Sequence, residues 1–356
     1  MNKFAKISLV ALLASTTLTA CGKSSSSASS ANAQCPIKVG FVTDMGGIED
    51  RSFNQSSWEG IQKFAKDNNL SESCISYVES KAEADYVPNL SAMADKGNHL
   101  VVAAGFLFSD AVKEVSKNYP NTNFFVIDTV VDEPNVVSGI FKDEQISYLA
   151  GIAAALQAKA EGGNSVGFIG GQESELIRKF QAGFEQGALS VNPDIQIFVD
   201  YVMNFDDTTG AQTAAQKQYN KGAKVIYHAA GNAGNGVIKE AKERVEKGEK
   251  VWVVGTDSDQ YDTGKMENGN SVILTSALKR VDSMSAFVSK SVLDNAFEGG
   301  NTLEFSIKED AIGYPTENPN LSEEIKTALD QAIADLKEGK INLHTNTIIS
   351  NGSSNK

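Results

Sequence analysis

Side chains that could hold a small polar ligand follow the ends of several apolar, strand-like runs in the sequence. In chain order these side chains, with one glycine, are Asp44, Phe53, Asn54, Asp128, Phe205, Gly231, Asp257 and Lys279. Aspartate and asparagine exchange hydrogen bonds with hydroxyls and ring edges, and a lysine can compensate buried carboxylate charge. A phenylalanine offers a flat apolar face to a planar ring or to a sugar. Together these residue types predict a binding cleft for a small molecule.

Each of these residues, taken alone, has a simpler explanation. A single phenylalanine is more often part of a core, and an aspartate after a strand is often only the N-cap of the next helix. The adjacent acids Asp206 and Asp207 could serve a hydrolysis reaction, but such a pair more often caps a helix or lies in a solvated loop. The recurrence of the pattern at many strand ends is what favours a shared cleft.

Two common catalytic and metal-binding motifs are missing from the sequence. It contains no Walker A lysine and no H-E-x-x-H pair. The glycine-rich run 231–236 lacks the G-x-G-x-x-G spacing of a dinucleotide site, and no cysteine–histidine spacing suits zinc. The sequence therefore predicts no catalytic residue, no metal and no cofactor.

Strand-like and helix-like runs alternate along the chain and must position the cleft residues. Strands are predicted at 37–42, 75–79, 99–104, 123–128, 165–169, 195–201, 223–228, 251–256 and 272–276. Helices are predicted at 52–67, 85–96, 108–118, 143–160, 175–190, 208–220, 233–247, 282–297 and 321–338. This alternation predicts an α/β fold with two doubly wound parallel sheets in two lobes, because nine strands are many for one sheet. Ligands of such sheets bind beyond the carboxyl ends of the strands.

The first 20 residues predict a lipoprotein signal peptide. Two lysines precede an apolar run at 7–14, which is too short to span a bilayer. Small residues then lead to Cys21, where cleavage would free the amine and a lipid would modify the thiol. The alternative is an ordinary secretory signal with a chance cysteine. Residues 21–35, which are rich in serine, would form a flexible tether between the lipid and the folded part.

The chain after this segment is acidic. Its net charge falls from −13 to −15 once Lys3 and Lys6 are removed. An acidic surface argues against nucleic-acid binding, and it predicts that attachment to a membrane comes from the lipid rather than from a basic face. The tail 350–356 is featureless and predicted to fray.

Two cysteines follow Cys21. Cys35 and Cys74 each precede one of the first two predicted strands. If these strands are neighbours in one parallel sheet, both cysteines lie at the same end of the pair, which is the geometry that a disulfide needs. The alternative is two unrelated thiols. We expect the bond to form in an exported protein.

Five sequence strings resemble one protein family. They are 46–60 (GGIEDRSFNQSSWEG), 148–151 (YLAG), 180–184 (FQAGF), 230–234 (AGNAG) and 254–260 (VGTDSDQ). These strings closely resemble the basic membrane protein family, which includes purine nucleoside receptor A-type substrate-binding lipoproteins of ABC transporters. The resemblance covers the chain from about residue 37 onward, and the first string is its most specific part.

The resemblance implies a type I periplasmic-binding-protein fold, in which two α/β lobes joined by three crossovers close on a nucleoside at a hinge. The N-terminal lobe would comprise 36–142 and 280–307, and the C-terminal lobe 143–279 and 308–349. Residues implied to address or stack on the base are Asp44, Asn54, Phe53 and Phe205. Those implied to hold the ribose hydroxyls are Asp128, Asp257 and Lys279. Gly231 would give a backbone contact, and Phe180 a further wall.

The function that the resemblance implies is nucleoside import. The protein would be a monomeric lipoprotein, anchored through Cys21 on the extracytoplasmic face of the cell membrane. It would bind a nucleoside, with purine nucleosides favoured, and deliver it to a permease driven by an ATPase. Two other classes stay open at this point: a nucleoside sensor or surface adhesin of the same fold, and a nucleoside-cleaving enzyme.

Overall fold

The computed structural model of the protein describes residues 35–348. The predicted signal peptide at 1–20, the lipidation site Cys21, the tether before Cys35 and the tail 350–356 lie outside the described residues. Within 35–348, none of the helices combines the length and the apolar character that crossing a membrane requires.

Six parallel strands form the first sheet. They are β1 (Val39–Val42), β2 (Ile75–Val78), β3 (Leu100–Ala103), β4 (Asn123–Ile127), β5 (Val136–Phe141) and β11 (Thr302–Phe305). Their order across the sheet is β11-β5-β4-β3-β1-β2. The helices of this half are α1 (Phe53–Asp67), α2 (Tyr86–Asp95), α3 (Ser109–Asn118) and α8 (Val281–Leu293). We call this sheet with its helices the first lobe.

The strands of the second sheet are β6 (Ser165–Gly170), β7 (Gln196–Tyr201), β8 (Val225–Ala229), β9 (Trp252–Asp257), β10 (Ile273–Lys279) and β12 (Ile312–Gly313). Their order is β12-β10-β9-β8-β6-β7, and among these six strands only β12 runs antiparallel to its neighbour. Its helices are α4 (Asp143–Ala160), α5 (Glu175–Val191), α6 (Thr208–Asn220), α7 (Gly234–Glu246) and α9 (Glu323–Lys337). These elements form the second lobe.

Two parallel-rich sheets with alternating helices confirm the predicted fold class. The chain passes between the sheets three times: after β5, after β10 and between β11 and β12. The precise boundaries of the predicted lobes stay a prediction. The strands β1, β3 and β8 are buried along their whole length, as their continuous apolar character indicates.

The sequence pattern missed three strands and misplaced some strand ends. β5 contains Ser138 and Gly139, a pair that resembles a turn. Packing explains the glycine instead, because a side chain at Gly139 would overlap Met284 and Phe125. β11 is a half-exposed edge strand, and β12 has only two residues. β10 continues to Lys279, so this lysine is the last residue of its strand rather than a residue beyond it.

Cys35 and Cys74 form the predicted disulfide, with their Cα atoms 5.5 Å apart. The register of β1 and β2, extended by one residue, sets Cys74 opposite Lys38 rather than Cys35. A bend at residues 36–37 brings Cys35 back to its partner. The pairing is therefore confirmed, but strand register alone does not produce it.

Replacing both cysteines by serine is expected to lower the free energy of unfolding by about 3–4 kcal/mol, since the bond constrains a loop of about 40 residues in the unfolded chain. Ligand binding is expected to survive, because the bond lies at the amino ends of β1 and β2. Urea unfolding measures the first effect. A non-reduced digest of protein recovered from cells should contain the linked peptides, and free thiols at both positions would contradict the prediction.

Candidate functional site

One cavity between the two lobes is lined by all nine residues that the sequence analysis selected. They are Asp44, Phe53, Asn54, Asp128, Phe180, Phe205, Gly231, Asp257 and Lys279. The remaining lining residues are Gly46, Asp50, Gly105, Phe106, Leu107, Leu176, Ile177, Ala229, Ala230, Asn232 and Thr256.

The loop between β1 and α1 builds one polar part of the cavity around a buried carboxylate. Asp50 accepts hydrogen bonds from the backbone N–H groups of Ser52, Asn54 and Gln55 at 2.8–3.0 Å. It thereby satisfies N–H groups that the first turn of α1 leaves without helical partners. The side-chain amide of Asn54 donates to Asp50 at 2.9 Å. Asp50 thus fixes the helix start that presents Phe53 and Asn54 to the cavity.

Asp44 is held by one of its two oxygens. Oδ1 accepts from the Gly46 N–H at 2.9 Å and from Asn54 Nδ2 at 2.7 Å. Oδ2 accepts no hydrogen bond from residues 35–348, and a Cβ atom placed on Gly105 would lie 3.5 Å from it. Burial raises the pKa of Asp44 to about 6, although the Asn54 hydrogen bond lowers it. Oδ2 is therefore available to a ligand donor. We call Asp44 and Asn54 the Asp44 cluster.

A buried lysine organises a second polar part of the cavity. Lys279 Nζ donates to both oxygens of Asp128 at 2.7 Å and to Asp143 Oδ1 at 2.9 Å. Only 1% of its side chain is exposed, so the ion pairs are essentially free of solvent. Asp257 lies in the same group, and its Oδ2 accepts from Ser52 Oγ at 2.6 Å. We call Lys279, Asp128, Asp143 and Asp257 the Lys279 cluster.

Burial sets the charge state of the Lys279 cluster. Burial raises the pKa of Asp257 to about 7, although the nearby charge of Lys279 lowers it. Burial also raises the pKa of Asp143, and Lys279 again opposes the shift. Burial alone would lower the pKa of Lys279, but attraction to its three carboxylates outweighs this and raises that pKa. The lysine is therefore charged at neutral pH.

Aromatic rings form much of the apolar wall. Lys279 Nζ lies 5.6 Å from the ring centre of Phe53 and 5.2 Å from that of Phe180, distances at which a cation attracts a ring face. Phe106 and Phe205 meet edge to face at 6.1 Å. Gly231 has a φ of +53°, and a Cβ atom there would lie 3.6 Å from the Phe205 ring. Planar faces thus adjoin both polar clusters.

Two cavity aspartates have backbone conformations that side-chain-bearing residues seldom adopt. Asp128 has a φ of +69° directly after β4, and Asp257 a φ of +68° at the end of β9. A left-handed conformation costs roughly 1–2 kcal/mol for an L-residue in general, and aspartate is among the few types other than glycine that adopt it. Strain of this kind tends to persist where a site requires it, and here it occurs at corresponding strand ends of both lobes.

Sequence reasoning missed several residues of the site. Asp143 is the first residue of α4 rather than a residue at a strand end, so the strand-end rule could not find it. Phe106 follows β3, so the strand-end rule applies to it, but the sequence analysis did not select it. Asp50 lies within the string 46–60, where an aspartate ahead of a helix could have indicated its capping role. Asp207 proves to be the N-cap of α6.

Comparison with known protein families identifies the family to which this chain belongs. The sequence model of the family described as "ABC transporter substrate-binding protein PnrA-like" matches residues 37–343. The chain belongs to this family. It is thus a substrate-binding protein of the ABC transporter type, as the resemblance predicted.

Curated relatives agree with this membership. A "CD4+ T-cell-stimulating antigen" of Listeria innocua is 39% identical over 335 residues, which cover 91% of this chain and 93% of the relative. The "ABC transporter nucleoside-binding protein BmpA" of Lactococcus lactis is 35% identical over 344 residues, covering 94% and 97%. "Basic membrane protein A1" of Borrelia garinii is 33% identical over 310 residues, covering 86% of each chain.

Solved structures agree on the fold. An ABC transporter solute-binding protein of Aeropyrum pernix superposes with a TM-score of 0.77 at 24% identity, over 87% of this chain and 94% of that one. A solute-binding protein of Conexibacter woesei gives 0.66 at 18% identity, over 86% and 99%. At these identities the likeness supports the fold alone.

Proposed function

We propose that this protein is a lipid-anchored, extracytoplasmic receptor that binds a nucleoside, with purine nucleosides favoured, and delivers it to the permease of an ABC importer. The observation that carries the proposal is the pairing of two polar clusters with ring faces in one cavity. A relative from Lactococcus lactis is named as a nucleoside-binding protein, which supports the same ligand class. The anchor at Cys21 rests on the signal sequence.

A nucleoside offers a ring with hydrogen-bonding edges and a sugar with hydroxyls. In the proposed arrangement Asp44 Oδ2 accepts a hydrogen bond from the base edge. Lys279, Asp128 and Asp257 hold the ribose hydroxyls. Phe53 and Phe205 stack on the base, Phe180 closes a further wall, and the backbone of Gly231 contacts the ligand. Hydrogen bonds to carboxylates in a desolvated site are stronger than neutral ones, and they supply specificity for the hydroxyls.

The contacts of Asn54 suggest that it acts on the base through Asp44. One of its amide hydrogens is donated to Asp44 and the other to Asp50, at 2.7 and 2.9 Å. Its Oδ1 accepts from the backbone N–H of Asp44 at 3.1 Å. Because both donors are committed, we assign Asn54 to orienting Asp44 rather than to direct recognition.

Nucleosides are expected to bind far more tightly than their 5′-monophosphates. The cavity contains Asp44, Asp50, Asp128 and Asp257 against the single lysine Lys279, and a phosphate would add negative charge to this acidic surrounding. Isothermal titration calorimetry with adenosine, guanosine and inosine, and with the monophosphate of each, measures the difference. Equal affinity for adenosine and its monophosphate would contradict the proposed site chemistry.

The same experiment separates the other function classes. Chromatography of the calorimeter contents should return intact nucleoside, and release of free base would favour a nucleoside-cleaving enzyme.

Deletion of the encoding gene should abolish high-affinity nucleoside uptake by cells. Unchanged uptake, together with normal binding by the purified protein, would favour a sensor or adhesin and contradict the transport role.

A further inference from the structure

Hydrogen bonds between residues that lie outside the cavity lining also join the two lobes. The backbone carbonyl of Arg51, between β1 and α1, accepts from Ser258 Oγ and from Gln260 Nε2, each at 3.0 Å. None of these three residues lines the cavity. Since Arg51 belongs to the first lobe and both donors belong to the second, opening the cleft must break these bonds. We call Arg51, Ser258 and Gln260 the interlobe clasp.

Arg51 has an unusual backbone conformation at this position. Its φ is +58°, in the left-handed region that residues with a Cβ atom seldom adopt. The neighbouring Asp50 carbonyl also accepts a bond across the cleft, from Asn235 Nδ2 at 3.3 Å. Arg51, the residue with the unfavourable backbone conformation, is thus the one whose carbonyl accepts two hydrogen bonds from the other lobe.

The orientation of the Gln260 amide is set by its own lobe. Oε1 accepts the backbone N–H of Thr256 at 3.1 Å, and it lies 3.0 Å from Nε2 of His228. A backbone N–H can only donate, so this contact assigns the oxygen to that side of the amide. Burial lowers the pKa of His228 to about 4, and the neutral ring then donates from Nε2. The amide nitrogen of Gln260 must therefore face Arg51.

We propose that Gln260 is a positioning residue for ligand capture, holding the lobes closed by presenting its amide nitrogen to the Arg51 carbonyl without contacting the ligand. The inference rests on the proposed function, because it takes the ligand to be trapped by closure of the lobes. A bond that exists only in the closed state stabilises that state over the open one. Its loss should therefore appear in the rate at which the ligand leaves.

Two variants remove the clasp donors one at a time. Gln260→Met keeps a side chain of similar length without a donor, and Ser258→Ala removes a partly exposed hydroxyl with little risk to folding. Stopped-flow fluorescence with inosine, adenosine and guanosine should show ligand dissociation about fivefold faster in each variant, the factor for one net hydrogen bond. The association rate constant should stay at the wild-type value.

Gln218→Met is the matched control. Gln218 is a buried glutamine of the second lobe whose amide donates to the Phe168 carbonyl and to Asp200, both within that lobe. Its replacement should reduce thermal stability and leave the dissociation rate unchanged. Wild-type dissociation rates in both clasp variants would overturn the proposal, and so would an equal rise in the Gln218→Met control.

A ligand-free measurement separates this inference from the proposed function. If the wild-type protein bound none of the three nucleosides, the proposed ligand class would fail, but the clasp could still be tested. Small-angle X-ray scattering of the Ser258→Ala, Gln260→Met double variant should then give a larger radius of gyration than that of the wild-type protein and the Gln218→Met control. An unchanged radius of gyration would overturn the clasp.

Discussion

Replacing Lys279 by methionine is expected to lower the free energy of unfolding by about 3–5 kcal/mol at pH 8, because removing one partner of a buried ion pair leaves the other charges uncompensated. Lys279 is the counter-ion of Asp128 and Asp143, whose side chains are 6% and 1% exposed. Nucleoside binding should fall as well, since Lys279 and Asp128 line the cavity and are proposed to hold the ribose hydroxyls.

The loss of stability should shrink as the pH falls from 8 to 5. Burial raises the pKa values of Asp257, to about 7, and of Asp143. Because the folded state takes up these protons more readily than the unfolded chain, their contribution to stability decreases as the pH rises from about 4 to about 7. Without Lys279 both pKa values rise further, so the variant loses more stability than the wild-type protein as the pH increases. The lysine itself stays charged throughout this range.

Urea unfolding at pH 5 and pH 8 measures both effects, and Lys290→Met provides the control. Lys290 pairs with Asp294 on the surface of α8, where 45% of its side chain is exposed. An exposed pair of this kind contributes at most about 1 kcal/mol. Equal stability of Lys279→Met and Lys290→Met at pH 8 would show that the buried cluster does not depend on its lysine.

Replacing Asp257 by alanine is expected to weaken ribonucleoside binding by about tenfold to a hundredfold. The carboxylate lines the cavity and is 7% exposed, so a ligand hydroxyl would exchange water for a charge-assisted hydrogen bond of roughly 1.5–3 kcal/mol. Deoxynucleosides should lose less affinity, because they lack a hydroxyl that the carboxylate could bind. Calorimetry with adenosine and deoxyadenosine measures both losses.

Two matched variants separate the carboxylate from the backbone at this position. Asp257→Asn tolerates the left-handed conformation and preserves an acceptor for Ser52, so its lost affinity reports the missing charge. Asp259→Ala alters an exposed residue of the same loop and should leave affinity within about twofold. Normal adenosine binding by Asp257→Ala would remove this residue from the proposed site.

The sequence predicted which residues the fold would bring together because parallel strands end at a common edge. Asp44, Asp128 and Asp257 each follow or end a strand, so periodicity alone located them near the cleft. Phe180 was named only from the family resemblance, since it lies within α5 rather than beyond a strand. Its place in the cavity wall depends on how the two lobes meet, which local patterns do not encode.

Contacts between distant parts of the chain could not be predicted from the sequence. Asp143 reaches Lys279 only because α4 begins where the chain passes between the sheets. The bond from Gln260 to Arg51 spans 209 positions. Both residues lie in strings that carry the family resemblance, but nothing in those strings indicates that the two residues pair. The charge states also depend on burial, because the aspartate pKa shifts arise from the closed arrangement rather than from neighbouring residues in the chain.

A competition experiment tests the central claim most directly. The purified protein would be incubated with equal concentrations of purine and pyrimidine nucleosides, free bases, D-ribose, nucleoside monophosphates and amino acids, and then examined by native mass spectrometry. The account predicts one adduct per chain with the mass of a nucleoside, and loss of that adduct in Asp257→Ala. An adduct of ribose, a free base or an amino acid in place of a nucleoside would contradict it.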